Sequence, residues 1–275
     1  MPIDPVLESI SADLAAGRTE GLSAKLLAAA ESCSEPFEML KCISILKLLP
    51  QDGTESKIAN LILNMTDEGT ALEVAKALYS LDCPYFALEA LKRAPKSDHS
   101  YRLICSCQYA LDEYESALET YSKIADPCVK DRILLSSIDS NLGEHKMAVD
   151  IATQLLSEYP DDYDVRIAYV NSMMMAGNTK DVAKYIRNGV KDKTADSYAV
   201  AAYVLRIQGN IKAAGGYASR AVTLNNNHIG AMETLGICLA IKSEYDKAKI
   251  VAGAINEISP GDKAAINILS YCEGH

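Results

Sequence analysis

Tryptophan is absent from this 275-residue chain, phenylalanine occurs only twice, and there are only four histidines. So little histidine leaves few of the groups that most often carry acid–base catalysis or bind transition metals. None of His99, His145, His228 and His275 stands four residues from another histidine or a carboxylate, the helical spacing a metal pair would need. They read as surface or linker residues: His145 in a predicted hairpin turn, His228 in a link, His275 at the chain end. Glycine (15) and proline (9) are scarce too, and many fall between apolar segments, which favours helices with short connections over a many-turned sheet. No apolar run approaches the roughly 18 residues that would suggest a membrane span, so no membrane insertion is expected. Basic charge is in deficit. With 27 Lys and Arg against 37 Asp and Glu, the net charge of −10 repels phosphate backbones, and no local basic stripe offsets it. Nucleic acid is excluded as the expected partner.

Reactive clusters are missing as well. The eight cysteines mostly lie inside apolar helical stretches, and no Cys-x-x-Cys occurs. Cys105 and Cys107 are two residues apart, which on a helix sets their side chains about 200° apart, too far round to share one ion. Nothing before the first helix resembles a secretory signal, so buried, reduced thiols in a cytoplasmic protein are expected. Gly215-Gly216 lacks the strand-to-helix setting of a phosphate-cradling loop. Asn64-Met65-Thr66 fits the glycosylation triplet, but a cytoplasmic chain would not be modified there. Asp161-Asp162 reads as a solvated link. No catalytic residue, cofactor or metal is expected.

What the chain does have is a period. A turn residue followed five positions later by a small or aliphatic residue appears as Gly143…Ala148, Gly177…Val182 and Gly209…Ala214, and without glycine as Asp112…Ala117 and Ser243…Ala248. The second residues of these pairs are spaced by 31, 34, 32 and 34 positions. A helix, a tight turn, a second helix and a short link fill about 34 residues. Apolar residues within each unit follow helical spacing, as at Ile104, Leu111, Ala117, Leu118, Tyr121 and Ile124. Leu81 to Ala87 reads as a further turn, residues 36–49 and 54–65 as a helical pair, and residues 5–16 and 19–32 as another around Gly17.

On these residues the chain resembles the tetratricopeptide-repeat (TPR) family. Tyr101, Ile104, Cys105, Tyr114, Ala117 and Tyr121 match one unit; Gly143, Ala148, Leu155 and Pro160 match the second half of the next. Tyr198, Ala202, Gly209, Ala214 and Ala221 fit a later unit, and Met232, Leu235, Gly236, Tyr245, Ala248 and Pro260 the last. The chain departs from the pattern at Arg166 and Val170. It departs also at Arg132 and Asp139, which would shift the first helix of their unit. The resemblance implies an all-α fold of about seven antiparallel helical hairpins wound into a right-handed superhelix, a TPR-like α-solenoid. The expected organisation is one solenoid over 1–275, with degenerate repeats over 1–97, the clearest repeats over 98–261 and a capping helix over 262–275.

The resemblance also implies that first helices line a concave groove. Its candidate partner-binding residues are Arg102, Ser106, Tyr109, Asn141, Asn171, Met174, Tyr203 and Arg206, with Ser137 and Met175 beside them. Asparagine can hydrogen-bond a peptide backbone through both amide groups, Tyr and Arg dominate interface energetics, and Met adapts its shape. Family members that grip acidic chaperone tails use a Lys-and-Asn clamp; the matching positions here are Arg102, Ser106, Ile133 and Ser137, which argues against that role. The expected function is a non-catalytic adaptor or scaffold binding a protein or peptide in the groove. The alternative is a structural subunit of a homo-oligomer or larger complex, assembling through its convex face or terminal helices.

Overall fold

The computed structural model describes residues 3–47, 49–50, 52–259 and 261–273; Pro260 and His275 lie outside them. Among those residues every regular element is an α-helix, seventeen in all. Eight hairpins and one closing helix result. The hairpins are α1 (Asp4–Ala15) with α2 (Leu22–Glu31), α3 (Pro36–Leu46) with α4 (Thr54–Met65), α5 (Ala71–Ser80) with α6 (Pro84–Leu91), and α7 (Asp98–Ala110) with α8 (Tyr114–Tyr121). They continue as α9 (Val129–Asn141) with α10 (His145–Glu158), α11 (Tyr163–Met175) with α12 (Thr179–Gly189), α13 (Ala195–Ile207) with α14 (Ile211–Leu224), and α15 (Ile229–Ile241) with α16 (Tyr245–Ile258). Helix α17 (Lys263–Glu273) packs on α15 and α16. The count is eight hairpins against about seven expected.

The sequence period has a single backbone cause. At the six bends from α5/α6 onward one residue sits in the left-handed region: Asp82, Asp112, Gly143, Gly177, Gly209 and Ser243, with φ between 58° and 83°. The next residue's N–H reaches back to the carbonyl five positions earlier, as in Glu113 to Gln108 (2.9 Å), Glu144 to Asp139 (2.8 Å) and Asn210 to Leu205 (2.8 Å). This is the Schellman closure, which satisfies carbonyls orphaned at a helix end. Glycine takes that φ without steric cost; Asp82, Asp112 and Ser243 take it at a cost of about 1 kcal/mol. Sequence distance from the left-handed residue is therefore a structural coordinate. Five residues after it, Ala87, Ala117, Ala148, Val182, Ala214 and Ala248 are each fully buried. Seven residues before it, Ala75, Cys105, Ser136, Val170, Ala202 and Gly236 are buried as well. The two sets meet where first and second helices cross. The Cys105 thiol donates to the Ala117 carbonyl at 3.3 Å, and the Ser136 hydroxyl to the Ala148 carbonyl at 2.9 Å.

Two compact units are present, Met1–Asp126 with α1–α8 and Pro127–His275 with α9–α17. They fill their cores differently. The first unit buries bulky aliphatics, among them Ile10, Leu22, Leu26, Met39, Ile43, Ile58, Ile62 and Leu78. The second relies on alanine at helix crossings, with larger groups such as Leu155, Ile255 and Ile268 between them.

The shift expected for α9 does not occur. Its last turn closes on Gly143 like its neighbours, so Arg132 and Asp139 hold their regular places. Arg132 is satisfied by a bidentate contact to Glu158, at 2.6 and 3.2 Å. Asp139 is buried, and its Oδ2 has no hydrogen-bond partner among the described residues. Burial, and then the nearby Glu144 charge, push its carboxyl above the ordinary aspartate range. A carboxyl so raised weakens the fold in its ionised form. The cost is absent below the unfolded-state pKa and complete above the folded one, so the penalty grows as pH rises through the acid range. Asp139→Asn is expected to stabilise the second unit at pH 7 by about 1 kcal/mol, with a smaller gain at pH 4. Urea denaturation at the two pH values reads this. An equal gain at both would remove the charge from the explanation.

Candidate functional site

In the second unit the first helices lie side by side, with α9 against α11, α11 against α13 and α13 against α15. Residues six and two before each left-handed position are four apart and share one helix face. That face carries Ser137 and Asn141 on α9, Asn171 and Met175 on α11, Tyr203 and Ile207 on α13, and Ile237 and Ile241 on α15. It grades from polar to apolar along the unit. Met175, Ile207 and Ile241 are roughly half exposed (51%, 46% and 46%), so the row ends in large apolar groups open to solvent.

The centre of the row is hydrogen-bonded across helices. Tyr203 Oη donates to Asn171 Oδ1 at 3.0 Å, joining α13 to α11. The Arg206 guanidinium lies 5.5 Å from the Tyr203 ring centroid, within cation–π range. Arg206 Nε is shielded from solvent without a hydrogen-bond partner among the described residues. A buried donor left unmade costs free energy. Cys238, buried behind it, is held above the usual thiol range by desolvation, which outweighs the opposing Arg206 and Lys242 charges.

Of the eight residues that the sequence reading placed in one groove, three belong to the first unit and five to the second. Asn171, Tyr203 and Arg206 come together as described. Met174 is half-buried against the cluster around Val170 and Val204, while its neighbour Met175 is the exposed one. Asn141 Nδ2 donates to its own helix at Ser137 O, 2.8 Å away, and Asn171 Oδ1 is held by Tyr203, so each amide has one function already engaged. In the first unit, Arg102 Nη2 donates to the Asp126 carbonyl at 2.5 Å, and Ser106 Oγ donates to Arg102 O at 2.9 Å. Tyr109 meets Tyr114 edge-on, with centroids 5.6 Å apart. Ile207 and Ile241 were missed. Counting back from the turns at Gly209 and Ser243 would have found them.

The histidines depart from the surface reading at one position. His228 is buried and caps α15, its Nδ1 accepting from Ala231 N–H at 3.2 Å. His145 is half-buried at the start of α10. Among the described residues no group of three His, Cys, Asp or Glu is placed to hold a metal ion, and no helix is long and apolar enough to cross a membrane. Seven of the eight cysteines are buried or half-buried, and Cys128 is exposed.

Paired antiparallel helices repeating every 30 to 34 residues from α5 onward, closed by one recurring turn and packed mostly through small residues at the crossing, decide the fold. It is a TPR-like α-solenoid. No family model matches the chain, and no curated protein matches its sequence. Among solved structures, it is similar to a tetratricopeptide repeat protein from Parabacteroides merdae, at 15% identity over 86% of this chain and 99% of that one, with a TM-score of 0.48. It is also similar to MamA from Desulfovibrio magneticus (16% identity, 58% of this chain and 94% of that one, TM-score 0.33). A third is yeast Tom70, at 12% identity over 92% of this chain and 59% of that one, with a TM-score of 0.47. In the TPR-like frame, the face just described belongs to the first helices of the hairpins.

Proposed function

We propose that this protein is a non-catalytic interaction module whose second unit binds a protein segment on the face of α9, α11, α13 and α15. The observation carrying the proposal is the Asn171–Tyr203–Arg206 chain beside the exposed Met175, Ile207 and Ile241. Tyr and Arg held rigid before binding lose little side-chain entropy on contact. The neighbouring apolar row suits large apolar side chains of the same segment.

The test is affinity capture from native lysate with wild type and with Tyr203→Ala/Arg206→Glu, each checked for an unchanged melting temperature. A partner held by wild type and lost at least about tenfold by the double variant, as expected for two centrally placed anchors, supports the face. Equal capture by both sinks it. A second reading rests on another surface of the same unit: Leu224, Ile250 and Ile258 are 56%, 70% and 40% exposed on α14 and α16. Capture insensitive to the first variant but lost on Ile250→Glu would make the protein a structural subunit joined through its second helices.

A further inference from the structure

Hairpin α11/α12 packs differently from α9/α10 and α15/α16 in two respects. Where first and second helices cross, the other hairpins from α5/α6 onward pair small residues: Ala75 with Ala87, Cys105 with Ala117, Ser136 with Ala148, Ala202 with Ala214, Gly236 with Ala248. Here the pair is Val170 and Val182, both fully buried in one apolar cluster. Two β-branched groups at a crossing hold the helices apart, since interiors are already close-packed. Farther along the second helix the order of sizes is inverted relative to α10 and α16, whereas α14 stays small throughout, with Ala214, Ala218 and Ala221. Helices α10 and α16 run Ala148, Ala152, Leu155 and Ala248, Ala252, Ile255, ending in a fully buried large residue. Helix α12 runs Val182, Ile186, Gly189. A Cβ on Gly189 would meet nothing nearer than Ser197 at 3.9 Å, and φ there is not positive, so the missing side chain is space rather than a backbone requirement.

The consequence is a cleft of about 430 Å³ beneath the end of α12, within the size range of small-molecule sites. Its apolar wall comes from Leu156, Ile186 and Val200, while Arg166, Tyr185 and Asp192 supply its polar groups. Arg166 Nε donates to Pro160 O at 2.7 Å and Nη2 to Asp161 Oδ1 at 3.1 Å, which fixes the guanidinium against the cleft. Nη1 has no partner among the described residues. The Tyr185 ring is locked against Tyr169, with centroids 5.1 Å apart. Asp192 on the same lining disfavours a ligand carrying a second negative charge.

We propose that this cleft binds a small amphipathic monocarboxylate, its carboxylate on Arg166 and the Tyr185 hydroxyl, its apolar body in the space Gly189 leaves empty. The site is separate from the first-helix face, so either can fail alone. The probe is 4-phenylbutyrate, titrated calorimetrically into the full chain with neutral 4-phenylbutanol as control. Saturable one-to-one binding is expected. It should weaken about tenfold for the alcohol and for Arg166→Gln, the effect of losing one charge-assisted contact. Gly189→Leu, which fills the space and improves helix propensity, should abolish binding while the melting temperature holds or rises. The Tyr203→Ala/Arg206→Glu protein should bind as wild type does. No saturable binding, undiminished binding by Gly189→Leu, or equal binding of acid and alcohol would each overturn the proposal.

Discussion

Ile268→Ala is expected to cost about 3 kcal/mol and to loosen α17 from the rest of the second unit. Ile268 is fully buried, and with Ala264, Ala265 and Cys272 it forms the inner face of α17 against α15 and α16. Its fit depends on Gly236. A Cβ there would come within 2.7 Å of Ile268 Cγ1 and closer still to Cδ1, inside any real contact distance. Gly236→Ala therefore forces the isoleucine out of place. The helix gains about 1 kcal/mol from the better helix former, against overpacking of about 1–3 kcal/mol. A small net loss is expected. The double variant carries the stronger test: the alanine methyl enters space vacated by the isoleucine, so the double should be at least about 1 kcal/mol more stable than the sum of the singles. Urea denaturation of all four proteins gives the cycle, and hydrogen exchange locates the loss in α17. Strict additivity would mean that α15 and α17 do not share this contact.

Why such pairs were legible in the sequence, and others were not, follows from what each half uses as core. From residue 98 on, small residues at fixed distances from a left-handed turn residue leave a pattern visible without structure: Cys105 and Ala117, Ala202 and Ala214, Gly236 and Ala248. Before it, helices such as α2, α3 and α4 bury Leu, Met and Ile, which satisfy the same crossings with no unusual composition and so no signature. The site was only half legible. Position along a helix was readable, so Asn171, Tyr203 and Arg206 emerged together. Competition from a helix's own carbonyls was not, and it draws Ser106, Ser137 and Asn141 back onto their own helices. Arg102 turned instead to the Asp126 carbonyl, a partner 24 residues away in sequence that spacing alone does not reveal. Solvation was the other blind spot, since charge in a sequence reads as exposure. Asp139 and His228 are both buried.

His228→Ala is expected to cost about 2–3 kcal/mol, the sum of a lost helix cap and a small cavity. A surface histidine would cost almost nothing. The ring stands at the meeting of three first helices: Nδ1 caps α15 through Ala231 N–H, Nε2 lies 3.2 Å from Asp196 Oδ1 of α13, and Tyr163 of α11 presents its ring edge-on with centroids 4.7 Å apart. Because Nδ1 accepts a hydrogen bond, the proton of the neutral ring sits on Nε2, toward the carboxylate. Tyr163 is itself confined. A Cβ on Gly230 would fall 2.6 Å from its hydroxyl, and burial pushes its phenol well above the usual tyrosine range. His228→Asn separates the contributions, since an asparagine at the cap position accepts the same N–H but fills none of the ring's contacts with Tyr163. It should recover about 1 kcal/mol of the alanine loss. Thermal and urea unfolding of the three proteins measures both steps. If Asn is no better than Ala, the cap contributes nothing and packing against Tyr163 is the whole effect; if both match wild type, the histidine is not part of the joint. The expected order, wild type above Asn above Ala, would make one link residue the point where α11, α13 and α15 are held in register, and with them the face that carries Asn171, Tyr203 and Ile241.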